Sequence, residues 1–206
     1  MAPLRRSFPL VATLFASAVL GSAALLSAPA HASTAIALSV EDLVDRSEVL
    51  VVGVPKSRVS RWEGGRIVTY TTVAIDTAIG GAKKPGETLV VRTLGGQVDG
   101  IGQITHGEAQ LPIDRPMVLF LRALPAGNAK AMVGSLTVTG MAQGALPVEV
   151  GTDKVARITP HPVDLALVPK AGAATPVKPA AETLAGKALP VAVTELRTLW
   201  AARAKK

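Results

Sequence analysis

The sequence contains no cysteine, and this absence excludes several kinds of protein. No disulfide can restrain the unfolded chain, so the burial of apolar side chains must supply the stability. A structural zinc site has no thiolate ligands here, and His106 and His161 stand far apart in sequence with no metal-binding spacing. A bacterial lipoprotein, which carries its lipid on a cysteine, is excluded as well. We therefore predict no metal site and no cofactor.

Long apolar runs are absent beyond residue 32, and the run before it has the features of a secretory signal peptide. Arg5 and Arg6 precede an apolar stretch over residues 8–26, and Ala30-His31-Ala32 follows it as an A-x-A cleavage pattern. The alternative is an uncleaved membrane anchor, because about 18 apolar residues can span a bilayer. We expect a signal peptide over residues 1–32, an exported protein that is periplasmic or secreted, and no membrane span after cleavage.

Aromatic residues make up only 3% of the chain, which leaves few platforms for stacking nucleic-acid bases. The formal net charge is +7, but the basic side chains are scattered along the sequence rather than clustered. We therefore predict no nucleic-acid partner. A basic surface outside the cytoplasm favours anionic polymers of the cell envelope, so the predicted partner is such a polymer or another protein.

Patterns typical of β-strands dominate the rest of the chain. Glu63-Gly64-Gly65 predicts a hairpin, and Pro55 is expected to end or interrupt the first strand. No long helices alternate with the strands, so a parallel doubly wound sheet is not expected. The pattern predicts a mainly β fold within residues 33–158, either a small antiparallel β-barrel of OB type or a sandwich. The predicted strands are 47–54, 66–77, 88–93, 116–122, 131–138, 145–150 and 154–158.

Two helices are expected to flank this β domain. Ser39 followed by acidic residues predicts a short helix near residues 39–45. Residues 159–190 are rich in proline and alanine and are predicted to form an irregular or extended connector. A C-terminal amphipathic helix is predicted over residues 191–206, and it either docks on the β domain or binds a partner. Its apolar residues at helical spacing are Val193, Leu196, Leu199 and Trp200.

The most distinctive local pattern is a glycine-rich stretch between residues 94 and 108. Closely spaced glycines allow positive φ and close backbone approach, which can cradle an anion. The alternative is a structural loop or bulged strand across the barrel mouth, since neither the P-loop nor the dinucleotide-binding spacing is present. The candidate ligand loop consists of Gly95, Gly96, Gly100, Gly102 and Gly107.

Two acids and a histidine in the same stretch form the strongest candidate catalytic group. A hydrolase site would use Asp99, His106 and Glu108, and Ser135 is the serine that could join them as a nucleophile. Ser135 is not in a nucleophile-elbow sequence, and nothing singles out one pair of carboxylates for glycoside hydrolysis. The sequence favours a non-catalytic exported binding or interaction module of unknown ligand, with a hydrolase as the alternative.

The order of several motifs carries a family resemblance over about residues 39–150. These motifs are residues 47–54, the hairpin with Trp62 and Gly65, the loop from Gly95 to Gly107, residues 118–121 and Gly140-Met141-Ala142-Gln143-Gly144. The chain resembles a group of exported bacterial β-rich proteins of unknown function, sometimes found beside matrixin-like metalloprotease domains. This resemblance implies a third function, as an inhibitor or accessory protein of an exported metalloprotease, and implies no catalytic residue. The helix-then-strand opening also resembles netrin-like and metalloprotease-inhibitor modules built on OB-type barrels, which usually carry disulfides.

Overall fold

β-Strand is the most abundant regular secondary structure among the residues that the structure describes. The computed structural model describes residues 33–124, 130–160, 165–169, 171 and 177–203. The predicted signal peptide and His161 therefore lie outside the described residues. The strands are β1 (Thr34–Ile36), β2 (Val49–Glu63), β3 (Arg66–Gly80), β4 (Thr88–Leu94), β5 (Gly96–Val98), β6 (Ile101–Gln103), β7 (Met117–Ala123), β8 (Leu136–Val138), β9 (Ala145–Val150), β10 (Ala156–Ile158) and β11 (Ala166–Val168). The helices are α1 (Val40–Asp45), α2 (Ala180–Leu184) and α3 (Leu189–Arg203), with a 3-10 turn at Met141–Gly144.

Seven strands form one sheet, in the order β10-β9-β7-β2-β3-β4-β8. Neighbouring strands are antiparallel except β4 and β8, which are parallel and joined through the residue pair Val91–Leu136. Strand β8 also pairs with β7. The sheet, the helix near the N-terminus and the C-terminal helix confirm the mainly β fold predicted from the sequence. The closed barrel stays a prediction. No helix in the described ranges is long and apolar enough to cross a membrane.

Strand β2 is buried on both faces over its first half, which explains the unbroken apolar run from Val49 to Val52. Successive residues of a strand point to opposite faces of the sheet. Val49 and Val51 join one apolar cluster with residues of β3, β4 and β7. Leu50 and Val52 join a second cluster, to which α1 and α3 contribute. The sheet therefore separates two apolar cores, and the helices belong to the second.

Strand β2 continues past Pro55, where the sequence predicted an end or an interruption. Its pairing with β3 shifts register between Pro55 and Ser57. Proline has no amide hydrogen to donate to the ladder, so the pairing is interrupted there and then resumes as far as Glu63. The hairpin around Gly64-Gly65 is the predicted one, but each of its strands is 15 residues long. This length carries β2 beyond both apolar cores.

The C-terminal helix docks on the sheet. Helix α3 begins at Leu189, earlier than the predicted start at residue 191, and Pro190 lies in its first turn, where proline is tolerated. Val193 and Leu196 are buried in the core that the helices share. The apolar stripe predicted for this helix therefore faces the protein itself.

Trp200 and Arg203 anchor the end of α3. The Trp200 indole packs against Gly80 of β3, where a side chain would have no room. The Arg203 guanidinium lies 4.2 Å from the centroid of the Trp200 ring and donates to the carbonyl oxygens of Val44 and Ser47. Val44 lies in the last turn of α1 and Ser47 follows just after that helix, so Arg203 ties the two helices together.

The stretch 159–190, predicted as an irregular connector, is not irregular throughout its described part. Strand β11 pairs in parallel with β1. Helix α2 buries Ala180 and Leu184 in the helix-covered core. A composition rich in proline and alanine indicates only a weak local preference for regular secondary structure. These short elements are instead ordered by contacts with residues far away in sequence.

The strand predicted over residues 131–138 is shorter than expected, because β8 covers only its last three residues. The backbone turns before it, with a φ of +76° at Gly134. Both the amide and the hydroxyl of Ser135 donate to the Met132 carbonyl oxygen, at 3.1 Å and 2.6 Å. This local turn uses groups that a strand would pair with its neighbour. The predicted closing hairpin is present as β9 and β10.

Replacing Gly80 with alanine should loosen the docking of α3. A Cβ at residue 80 would lie 2.1 Å from Cδ2 of Trp200, so the indole would have to move. We expect Gly80→Ala to lower the free energy of unfolding by about 1–3 kcal/mol, the usual cost of overpacking. Gly102→Ala is the matched control, because an added Cβ there meets no atom within 4 Å. Urea denaturation compares the two variants, and equal stabilities would contradict the described packing.

Candidate functional site

One face of β3 and β4 changes from apolar to polar along the strands. On β3 the side chains of this face are Val73, Thr71 and Thr69 in turn, since residues two apart share a face. On β4 the corresponding residues are Val91 and then Thr93, and Thr93 stands directly opposite Thr69. Val73 and Val91 belong to the apolar core on this side of the sheet. The threonines therefore continue the core surface as a polar one.

Strand β2 widens this polar surface. Ser60 stands opposite Thr69, and Arg58 stands opposite Thr71. A cleft of about 560 Å³ lies over the surface, and we call it the threonine cleft. Its lining consists of Arg58, Ser60, Thr69, Thr71, Thr93 and residues 94–97, 102–105 and 109–111.

The glycine-rich stretch forms one wall of the threonine cleft as the β5–β6 hairpin. Thr69 Oγ1 donates to the carbonyl oxygen of Gly95 at 2.7 Å. Ser60 Oγ lies 2.8 Å from Thr69 Oγ1, within hydrogen-bond distance. A Cβ on Gly96 would stand 2.3 Å from Thr69 Oγ1, so this close approach of the hairpin to β3 requires glycine. The stretch is thus a structural hairpin that also shapes a cleft.

The predicted ligand loop only partly reaches the cleft. Gly100 lies in the turn of the β5–β6 hairpin with a φ of +79°. Gly107 lies in a later turn, where an added Cβ would stand 2.8 Å from Cδ1 of Leu165. Neither residue lines the threonine cleft. The glycines that do line it are Gly95, Gly96 and Gly102.

Two buried threonines in the threonine cleft have hydroxyl groups without a hydrogen-bond partner among the residues that the structure describes. Thr71 is 2% exposed and Thr93 is 8% exposed, so little of either residue reaches open solvent. Arg58, at the same cleft, is exposed and forms no ion pair with any described residue. A buried hydroxyl without a partner costs about 1–3 kcal/mol. These three side chains therefore line the cleft with polar groups that no described residue satisfies.

The predicted catalytic residues do not line one common cleft. Asp99 is exposed at the tip of the β5–β6 hairpin, and His106 is exposed in a turn. Neither lines the threonine cleft, and Glu108 lines a different one. Ser135 is buried, and its hydroxyl donates to a backbone carbonyl. Within the described ranges, no group of three His, Cys, Asp or Glu side chains could hold a metal ion.

A second cleft, of about 410 Å³, contains five charged side chains, and we call it the arginine cleft. Three arginines and two glutamates line it, and they come from β2, β3, β4, β7 and the turn after β6. Leu94 lines both clefts, so the two lie side by side. The full lining of the arginine cleft is Glu63, Arg66, Arg92, Leu94, Glu108, Arg122, Leu124, Thr137, Val138 and Met141.

Glu63 and Arg92 form a buried ion pair in the arginine cleft. Their side chains are 7% and 11% exposed, and Nη2 of Arg92 lies 3.0 Å from Oε2 of Glu63. The other carboxylate oxygen accepts from Nε and Nη2 of Arg61, at 2.9 Å and 2.7 Å, and from the Tyr70 hydroxyl. Burial by itself would raise the pKa of Glu63, but the hydrogen bonds from Tyr70, Arg61 and Arg92 outweigh it and lower the pKa. Glu63 is therefore an ionised group that its neighbours already satisfy.

The pKa of Glu108, which lines the same cleft, is shifted in the opposite direction from the pKa of Glu63. Burial raises the pKa of its carboxyl group above the ordinary value. Hydrogen bonds from the backbone amides of Ala109 and Leu94 and the positive charge of Arg92 oppose this shift without cancelling it. The structure therefore places in the arginine cleft one carboxyl group that is protonated more readily than an ordinary glutamate.

The fold and its two clefts define a mainly β protein with one cleft lined by hydroxyl groups and one lined by arginines. A scan against protein-family models finds no family that matches the chain, and a search of curated proteins finds no match either. The resemblance to exported bacterial proteins, and the metalloprotease-related function that it implies, therefore stay expectations.

The threonine cleft was hard to predict from the sequence. Thr69, Thr71 and Thr93 count in a sequence as strand formers, because threonine is common in strands whichever face it occupies. The available signal is that Thr69 and Thr71, two residues apart, share one face of a strand close to a hairpin turn. Thr93 stands just before the glycine-rich stretch, and only strand pairing brings it to the other two.

Replacing the unpartnered hydroxyls should not destabilise the fold. We expect Thr71→Val and Thr93→Val to leave the free energy of unfolding unchanged or to raise it by up to about 1 kcal/mol, because valine removes a buried hydroxyl that no protein group satisfies. Thr69→Val is the matched control and should lower it by about 1–2 kcal/mol, since its hydroxyl bonds to Gly95. Urea denaturation distinguishes them, and three equal losses would contradict the assignment.

Proposed function

We propose that this protein is an exported, non-catalytic binding module whose threonine cleft holds a segment of an anionic, hydroxyl-rich polymer of the cell envelope. The observation that carries the proposal is that Thr71 and Thr93 bury hydroxyls beside the exposed Arg58, and that none of the three has a partner among the described residues. Export rests on the signal peptide predicted for residues 1–32. The basic net charge of the chain favours an anionic ligand.

The chemistry of the lining matches a polymer that carries both hydroxyl and acidic groups. A threonine hydroxyl both donates and accepts, as a sugar hydroxyl does, so the two can pair in either direction. A guanidinium group offers a planar set of donors that fits a carboxylate. Hydroxyl groups alone would not select an anionic polymer over a neutral one, and Arg58 supplies that preference.

Trp62 adds a flat apolar surface beside these polar groups. It lies on the same face of β2 as Ser60 and Arg58, because residues two apart on a strand share a face. The residue is 47% exposed, whereas tryptophan side chains are mostly buried in folded proteins. An exposed indole is a suitable platform for the apolar face of a sugar ring. The polymer would therefore extend from the threonine cleft along β2 to Trp62.

The order of strand pairing supports a binding role at the level of the fold. Strands β2, β3 and β4 form a meander, and β8 pairs with β4 in parallel and with β7 in antiparallel orientation. We propose that this order closes into the OB-type barrel expected from the sequence. OB folds bind oligosaccharides as well as oligonucleotides, so the fold is compatible with a polymer ligand but does not indicate which kind of polymer.

Binding of polygalacturonate, measured by isothermal titration calorimetry with the purified protein, tests the proposal. We expect measurable binding of this polyanion and none of the neutral polymer dextran. Arg58→Gln should weaken the binding about fivefold, because an exposed ion pair contributes at most about 1 kcal/mol. The double variant with Thr71→Val and Thr93→Val should weaken it by about tenfold or more, through two lost hydrogen bonds.

Arg115→Gln is the control for net charge, since Arg115 is exposed and lies in neither cleft. It should bind polygalacturonate as the wild type does. A failure of polygalacturonate to bind, or equal losses in Arg58→Gln and Arg115→Gln, would overturn the proposal. Equally tight binding of single-stranded DNA of the same charge would also overturn it, because the cleft would then recognise only the negative charge of the polymer.

A further inference from the structure

The arginine cleft plays no part in the proposed function, and its charges are not balanced. Arg92 is neutralised by Glu63, whose remaining oxygen is taken by Arg61 and Tyr70. Arg66 and Arg122 also line the cleft, and neither forms an ion pair with a described residue. The cleft therefore has two guanidinium groups whose donors are not used by any residue that the structure describes.

These two arginines reach the cleft from separate parts of the sheet. Arg66 is the first residue of β3, directly after the Gly64-Gly65 turn. Arg122 lies near the end of β7, opposite Thr137 of β8. Both are exposed, so they lie at the open side of the cleft, whereas the Glu63–Arg92 pair is buried. Two like charges in one cleft repel each other, and an anion between them would remove that repulsion.

We propose that the arginine cleft binds a compact oxyanion, a phosphate, sulfate or carboxylate group carried by a ligand, through the guanidinium groups of Arg66 and Arg122. The planar donors of arginine match the oxygens of such groups and can bind two oxygens at once. Glu63 does not compete for these donors, because its oxygens already accept from Arg61, Arg92 and Tyr70. A cleft of about 410 Å³ has room for the anion and for part of the molecule that carries it.

Glu108 makes this binding depend on pH. Its carboxyl group lines the same cleft, with a pKa raised by burial. The charged groups that share the cleft with it are Glu63, Arg66, Arg92 and Arg122. When protonated, Glu108 is neutral and can donate to an oxyanion. When ionised, it competes for the arginines and repels the anion, so binding should weaken as the pH rises through the pKa of Glu108.

Sulfate is the probe that tests this site, because it keeps the same charge across the range in which Glu108 titrates. We expect the purified protein to bind sulfate in a calorimetric or NMR titration. Arg66→Gln and Arg122→Gln should each raise the Kd about tenfold, as expected for the loss of a charge-assisted hydrogen bond. Both residues are exposed and form no ion pair within the described ranges, so these variants should fold, and a thermal melt checks this.

Two control variants separate the site from general charge and from the proposed function. Arg115→Gln removes the same charge outside both clefts and should leave the Kd for sulfate unchanged. Arg58→Gln affects the threonine cleft and should also leave it unchanged. Equal effects of Arg66→Gln, Arg122→Gln and Arg115→Gln would overturn the proposal, as would no binding of sulfate, phosphate or acetate. Because the polymer and the sulfate are tested separately, either proposal can fail while the other stands.

The pH arm uses Glu108→Gln, which keeps the shape of the side chain without its charge. The wild type should bind sulfate more tightly at about pH 5 than at about pH 8, because a raised pKa leaves more of Glu108 protonated at the lower pH. Glu108→Gln should remove this difference and bind sulfate at about pH 8 more tightly than the wild type does at that pH. Unchanged pH dependence in Glu108→Gln would overturn the role of Glu108. Titrations with phosphate and with acetate then identify which kind of anionic group the cleft prefers.

Discussion

Burial of β2 on both faces is the constraint on which the rest of the structure depends. The backbone of this strand pairs with β3 on one side and with β7 on the other, so neither of its edges is free in its first half. Its side chains need apolar partners above and below the sheet. Strands β3, β4 and β7 supply them on one face, and α1 and α3 supply them on the other. In a chain without cysteine, these two clusters have to provide the stability.

The threonine cleft follows from the length of the β2–β3 hairpin. Both strands extend past the apolar core, and the positions on the core-facing side then carry Ser60, Thr69 and Thr71 in place of valine and isoleucine. The β5–β6 hairpin approaches this polar face so closely that Gly96 has no room for a side chain. A site on paired strands is held more precisely than a site on loops, because backbone pairing sets the spacing of its side chains. The cleft is thus a rigid polar surface continuous with the core.

The two clefts handle charge in different ways. In the arginine cleft, the buried Glu63 is stabilised in its ionised form by three donor side chains, so it acts as a fixed internal anion. Arg66 and Arg122 lie outside this arrangement and keep their donors available. In the threonine cleft, Arg58 is the charged residue of the lining, and the other polar side chains of the lining carry hydroxyl or amide groups. Only Leu94 is shared by the two linings, so adjacent surfaces of one sheet offer different chemistry.

The elements that the sequence determined are those with a local cause. Helix α1 begins at Ser39 because its hydroxyl accepts from the Asp42 amide, while the Asp42 carboxylate accepts from the Ser39 amide. The Gly64-Gly65 turn and the closing hairpin also follow from a few adjacent residues, and the alternation of apolar residues indicated a mainly β fold. Each of these preferences acts within a few residues of chain.

The tertiary structure decided what depends on distant partners. Strand β2 passes Pro55 because pairing with β3 on both sides of the proline outweighs one lost hydrogen bond. Strands β1 and β11, more than a hundred residues apart, order each other. The candidate site shows the same limit: Asp99 and His106 are close in sequence yet line neither cleft, whereas Thr71 and Thr93 line one cleft together. Strand pairing sets which side chains meet, and register is a property of two segments, so neither segment alone contains it.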